Sequence, residues 1–137
     1  MEVVFPFEFT ILGTPPSLQS SNPKAKEAWK DNVRASSQPR LPEQHFAYEG
    51  AVAVTIFYFP DGPMVGDLDN ILKYTLDGLS KHIIIDDGQV ERIVVQKFEP
   101  DRAYTFENPS EVLLGAIEAE RPVMYIKLSN NPLEELL

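Results

Sequence analysis

The sequence contains no cysteine, which excludes disulfides and thiolate-bound zinc or iron–sulfur sites. Histidine is scarce: His45 and His82 are its two imidazoles, and they do not stand at metal-ligand spacing. A metal ion would therefore be held mainly by oxygen. No apolar run approaches the ~20 residues of a membrane span, so no membrane partner is expected. The N-terminal Met1-Glu2-Val3-Val4-Phe5 lacks a basic region and reads as a strand rather than a signal peptide. The default expectation is a cytoplasmic location. There is no phosphate-cradling glycine loop of the Walker type and no Ser-His-Asp set, and nothing in the chain asks for an organic cofactor.

Positive charge is also sparse, with 12 Lys and Arg against 21 Asp and Glu and a net charge of −9. That balance argues against a nucleic-acid partner, because phosphate binding usually leaves a basic footprint. The average hides an asymmetry. Lys24, Lys26, Lys30, Arg34 and Arg40 are opposed over their span only by Glu27 and Asp31, whereas acidic residues dominate from Glu99 onward. The basic group is the candidate DNA-binding surface. Part of the central negative charge belongs to a candidate metal site, which bound cations would neutralise.

With 137 residues, 43% hydrophobic and 24% charged, the chain has the size and composition of one soluble globular domain, residues 1–137. Glu2 to Leu12 alternates around Val3, Phe5, Phe7, Phe9 and Ile11 and predicts a half-buried strand, ended by Gly13-Thr14-Pro15-Pro16-Ser17. Asn22 is placed as a helix N-cap with Pro23 at the first helical position. Behind them Trp29 and Val33 lie on a weak apolar stripe, while Lys26, Lys30 and Arg34, spaced by four, fall on another face. Gly50 to Pro60, rich in β-branched and aromatic residues, predicts a central strand. Leu68, Ile71, Leu72, Thr75, Leu76 and Leu79 recur at helical spacing as one core-facing stripe, with Asp67 placed as the N-cap. Val90 to Phe98 and Val123 to Leu128 predict two further strands, and Pro109 to Glu120 a short helix. The order β-α-β-α-β-(α)-β predicts an α/β or α+β domain with a mixed sheet of about four strands and two main helices packed against it.

The chemistry concentrates in Gly66-Asp67-Leu68-Asp69-Asn70-Ile71-Leu72-Lys73 and in Asp86-Asp87-Gly88-Gln89-Val90. Hard cations such as Mg²⁺ take oxygen ligands, usually one or two carboxylates with waters and substrate phosphates. Phosphoryl-transfer sites add a cation aimed at developing charge. Each half also has an ordinary structural explanation. Asp69, Lys73 and Asp77 form an i,i+4 ladder worth a few tenths of a kcal/mol per pair, and Asp-Gly is a strong hairpin signal. What favours a metal site is that both acidic pairs flank one helix, and they are expected to converge at one end of the sheet.

Asp67-Leu68-Asp69-Asn70, Lys73, Asp77 and Leu79, followed by Asp86-Asp87-x-Gln89-Val90, resemble the signature of RusA-type Holliday junction resolvases. Pro15-Pro16-Ser17 and Ala28-Trp29-Lys30-Asp31-Asn32-Val33 are similar to further pieces of that family. The resemblance spans about Phe7 to Phe98. It implies a homodimer that binds branched, four-way DNA and cuts two strands symmetrically with Mg²⁺ or Mn²⁺. It also implies that Asp67, Asp69 and Asp87 are metal-binding catalytic aspartates, that Lys73 is an active-site lysine, and that Asp86 adjoins the last ligand.

This chain departs from the pattern in three places. It lacks an arginine cluster before Asp67, its loop after Pro16 is short and not basic, and it carries an acidic insertion at 101–120. The tail 129–137 shows no pattern. These departures bear on DNA affinity more than on metal binding. The alternative they suggest is a catalytically weak or inactive member acting as a dimeric nucleic-acid-binding or regulatory module.

Overall fold

Most hydrophobic patterns of the sequence become elements in the computed structural model, which describes residues 1–16, 22–64 and 68–134. In chain order these are β1 (Phe7–Leu12), α1 (Pro23–Ser37), β2 (Val52–Phe59), α2 (Asp69–Leu79), β3 (Val90–Lys97), α3 (Glu111–Glu118) and β4 (Val123–Ser129). Single 3₁₀ turns occupy Gln38–Arg40 and Asp87–Gln89. The result is an α+β domain, as the pattern predicts. β1 starts later than the alternation suggests. Pro6 has no N–H to give a ladder, and Glu2 instead forms an isolated bridge with Phe46. Among the described residues no helix is long and apolar enough to cross a membrane.

The strands form one sheet in the order β1-β4-β2-β3. β4 runs antiparallel to both β1 and β2, while β2 and β3 are parallel. β2 is interior, as expected, and its residues are largely buried.

Period-two alternation divides the interior strands between two cores. Phe7, Phe9, Ile11, Val54, Ile56, Met124, Ile126 and Leu128 face Trp29 and Val33 of α1 and Ile71 and Leu79 of α2. On the opposite face Phe59, Val123 and Tyr125 pack with Phe98, Tyr104, Phe106, Leu113 and Ala116. The acidic 101–120 segment is thus the cover of a second core. Ser110 caps α3 by accepting from Leu113 N (3.1 Å). The Glu8 carboxylate accepts from both Ser110 and the Tyr125 hydroxyl, pinning α3 to β1 and β4. Burial, then that carboxylate, raises the Tyr125 pKa well above the usual phenol range.

α1 and α2 run side by side in the same direction. Asn22 caps α1 by accepting from Lys24 N at 3.0 Å, as predicted. The partners then climb together: Lys26 Nζ lies 5.3 Å from the Tyr74 ring centroid, and Trp29 Nε1 donates to Thr75 Oγ1 at 3.0 Å. Farther on, Arg34 Nε donates to the Gly78 carbonyl at 3.2 Å, and Ser37 Oγ meets His82 Nε2 at 3.0 Å. The approach is closest at Gly78, where an added Cβ would lie 2.7 Å from Val33 Cβ.

Candidate active site

α2 begins at Asp69, preceded by Leu68 in helical conformation with no side-chain cap. Asp67, predicted as cap and ligand, lies outside the described residues. Asp69 sits exposed in the first turn, where unpaired helix N–H groups favour a carboxylate. Lys73 is exposed one turn on and pairs with Asp77 Oδ1 at 3.2 Å, so part of the expected ladder forms. The approach to this end is held from the sheet: Glu99 Oε2 accepts from Met64 N at 2.7 Å, and Lys97 Nζ is 3.9 Å from Glu99 Oε1.

Asp86 and Asp87 are also exposed. Their Asp-Gly step does not make a hairpin, because the strand it feeds pairs in parallel with β2. Instead Asp86 caps the 3₁₀ turn, its Oδ2 accepting from Gly88 N at 3.1 Å. Gln89 completes the capping box through a bond to Asp86 N (3.0 Å). Sequence reasoning placed Gln89 in a motif without giving it a role. The Asp-x-x-Gln spacing, a capping-box pattern, carried that signal.

The described members of the two acidic motifs, Asp69 on one side and Asp86 and Asp87 on the other, stand at opposite ends of α2. Thr75 Oγ1 lies 3.9 Å from Met124 Sδ, and Met124 pairs with Tyr58 near the end of β2. Asp69 opens α2, nearly two turns before Thr75. Asp86 and Asp87, by contrast, precede Val90, which pairs with Val52 at the beginning of β2. From Val52 to Tyr58 the strand rises roughly 20 Å. For Asp69 and Asp87 the separation is topological. A helix joining parallel strands starts where the first strand ends, and the next strand starts at the opposite end, level with the beginning of the first. Among the described residues no three carboxylate or imidazole groups gather as a metal site.

The basic residues are spread along α1. Lys24 and Arg40 are exposed near its two ends, and Lys30 pairs with Glu27 at 3.4 Å. Arg34 turns inward, its guanidinium donating to the carbonyls of Gly78, Asp77 and Ser80 at the end of α2. Arg92 is likewise engaged, donating to the carbonyls of Pro132 (2.9 Å) and Glu134 (2.7 Å). His82 is hydrogen-bonded at both its ring and its carbonyl. Its Nε2 meets Ser37, and its carbonyl meets His45 Nε2 at 2.8 Å. Burial, then His45 and Arg34, lower its pKa below the ordinary histidine value.

The fold is thus an α+β domain with exposed carboxylates, Asp69 and the Asp86–Asp87 pair, at the two ends of a parallel β-α-β crossover, oxygen donors of the kind hydrolytic metal sites use. Residues 13–106, more than half of the chain, match the model of the RusA endodeoxyribonuclease family, and the chain belongs to that family of DNA-cleaving hydrolases. The matched span includes α1, α2, both acidic motifs and β3, and it ends within the segment that closes the second core. No curated protein matches the chain.

Proposed function

We propose that this protein is a Mg²⁺-dependent endonuclease that resolves four-way DNA junctions, with Mn²⁺ also supporting activity, and that it works as a homodimer. The observation that carries this reading is the pairing of family membership with exposed Asp69, Asp86 and Asp87 at opposite ends of α2. Carboxylate oxygens suit hard divalent ions, so the donor chemistry fits. Among the described residues, one chain alone does not bring Asp69 to Asp86 and Asp87. A two-fold axis across α2 exchanges its ends, setting the Asp67–Asp69 end of each copy beside the Asp86–Asp87 end of the other. Two composite sites result, and two symmetric cuts require two sites.

In each site Asp67 and Asp69 from one copy and Asp87, with Asp86 adjoining, from the other would hold the ion. When bound, the ion supplies Lewis acidity toward the scissile phosphate and lowers the pKa of a coordinated water. Lys73, exposed one turn into α2 from Asp69 and paired with Asp77, would set a cation where negative charge develops on the phosphate oxygens. Lys24, Lys26 and Lys30 supply phosphate contacts, few enough to make binding weak at physiological salt.

The test is a synthetic four-way junction incubated in Mg²⁺, with binding measured separately in Ca²⁺. Wild type should bind in Ca²⁺ and release paired nicks in Mg²⁺, and Asp69→Asn should bind but not cut. Addition of Mn²⁺ should also raise the thermal midpoint of the DNA-free protein by mass action. Binding without any cleavage by wild type in either ion would instead favour the catalytically inactive, dimeric nucleic-acid-binding reading that the departures from the family pattern suggest.

A further inference from the structure

A glutamine amide offers two acceptor lone pairs and two N–H donors, and Gln89 uses all of them on backbone. Its Oε1 accepts from Ile85 N at 2.8 Å and Asp86 N at 3.0 Å. Its Nε2 donates to the carbonyls of Tyr48 at 2.8 Å and Gly50 at 2.7 Å. One side chain thus ties the turn carrying Asp86 and Asp87 to the segment that enters β2, an interior strand of the sheet. The turn it holds is exposed at Ile85, Asp86 and Asp87 and has little packing of its own. Backbone hydrogen bonds are what fix such a turn, and each is worth on the order of 1 kcal/mol.

We propose that Gln89 is the positioning residue of the Asp86–Asp87 pair, acting through the turn's backbone and touching neither metal nor DNA. This rests on the function proposed above. Bringing carboxylates to one ion within tenths of an ångström requires supports that are themselves locked. Gln89 is held at both ends of its amide and provides that lock. Its loss would leave the carboxylates present but poorly placed. That lowers the rate of the chemical step and the affinity for metal, and leaves the DNA-facing cations of α1 untouched.

The experiment compares wild type with Gln89→Met, which keeps length and apolar bulk and removes all of these bonds. Expected results for the variant are a folded protein and junction binding in Ca²⁺ within about twofold of wild type. Its single-turnover cleavage rate should fall at least about tenfold at saturating DNA, with a higher Mn²⁺ concentration for half-maximal rate. Amide hydrogen exchange should accelerate at Ile85 and Asp86 while the sheet stays protected. Should Gln89→Met not fold, Gln89→Glu, which retains the acceptor oxygen, is measured in the same assays. Wild-type cleavage rate and Mn²⁺ dependence in a folded variant would overturn the proposal. So would loss of junction binding in Ca²⁺ in step with cleavage, which marks a merely structural residue. If wild type itself does not cut, the functional reading fails. The exchange rates and the Mn²⁺-induced midpoint shift of DNA-free protein then still decide whether Gln89 places the pair.

Discussion

The two ends of α2 carry the same chemistry on different supports. At its start, Asp69 stands on the first helical turn, with Glu99 holding the backbone at Met64 and Lys73 leaning toward Asp77. Past its end, Asp86 and Asp87 stand on a 3₁₀ turn fastened by Gln89, while Arg34 and the His45–His82 pair secure the chain leading into it. One end relies on helix geometry and the dipole, the other on side chains that satisfy backbone groups. The difference locates where mutations should read as chemistry and where they should read as stability.

Arg34 provides the largest stability contrast. Arg34→Met removes the partner of three carbonyls at the end of α2 and should cost about 1–3 kcal/mol, seen as a lower denaturation midpoint. Charge reversal at this position would therefore confound any test of DNA docking. If Arg34→Met melts like wild type but loses junction binding, the residue belongs to the DNA surface instead.

A double variant, Lys26→Glu with Lys30→Glu, should do the reverse. These cations lie toward the start of α1, and within the chain they meet an aromatic face and Glu27. Exposed ion pairs contribute little to stability, so the midpoint should hardly move. Junction binding should weaken, and the salt dependence of log K should become shallower by up to roughly 0.9 for each phosphate that the variant no longer neutralises. An unchanged salt slope would make this face of α1 a solvated surface only.

The smallest expected effect is a pH dependence confined to the Asp86 end. The His82 pKa is lowered in the fold by burial, then by His45 and Arg34, so the native state favours the neutral ring. The unfolded chain takes up the proton first as pH falls through about 6.5. The contribution is full above that value and is lost as pH drops toward the lowered native pKa. Urea midpoints at pH 7.5 and 5.5 should therefore differ more for wild type than for His82→Gln, and equal differences would remove His82 from the account.

Much of the architecture was legible in the sequence because it is set locally. The alternation through Phe7, Phe9 and Ile11, the Asn22-Pro23 start of α1 and the 3.6-residue stripe through Ile71, Thr75 and Leu79 each predict an element that forms. What could not be read locally is pairing. Asp87-Gly88 has the composition of a hairpin turn, yet its strand pairs in parallel with β2, and that long-range choice separates Asp69 from Asp86 and Asp87. Arg34 was read as a surface cation from its spacing, because the carbonyls it meets lie 43 to 46 residues away in sequence. The 101–120 segment looked like an acidic addition because charge masked Tyr104, Phe106, Leu113 and Ala116, which close the second core.

The central claim is that each active site draws its two acidic pairs from different copies of the chain. Mixing Asp69→Asn protein with Asp87→Asn protein, after subunit exchange, tests it directly. In a mixed dimer one composite site receives both substitutions and the other receives neither. The account predicts that each variant alone is inactive on a four-way junction and that the mixture recovers Mg²⁺-dependent cutting of one strand per junction. A mixture that exchanges subunits and binds the junction but stays as inactive as its components would show that each chain builds its own site, contradicting the account.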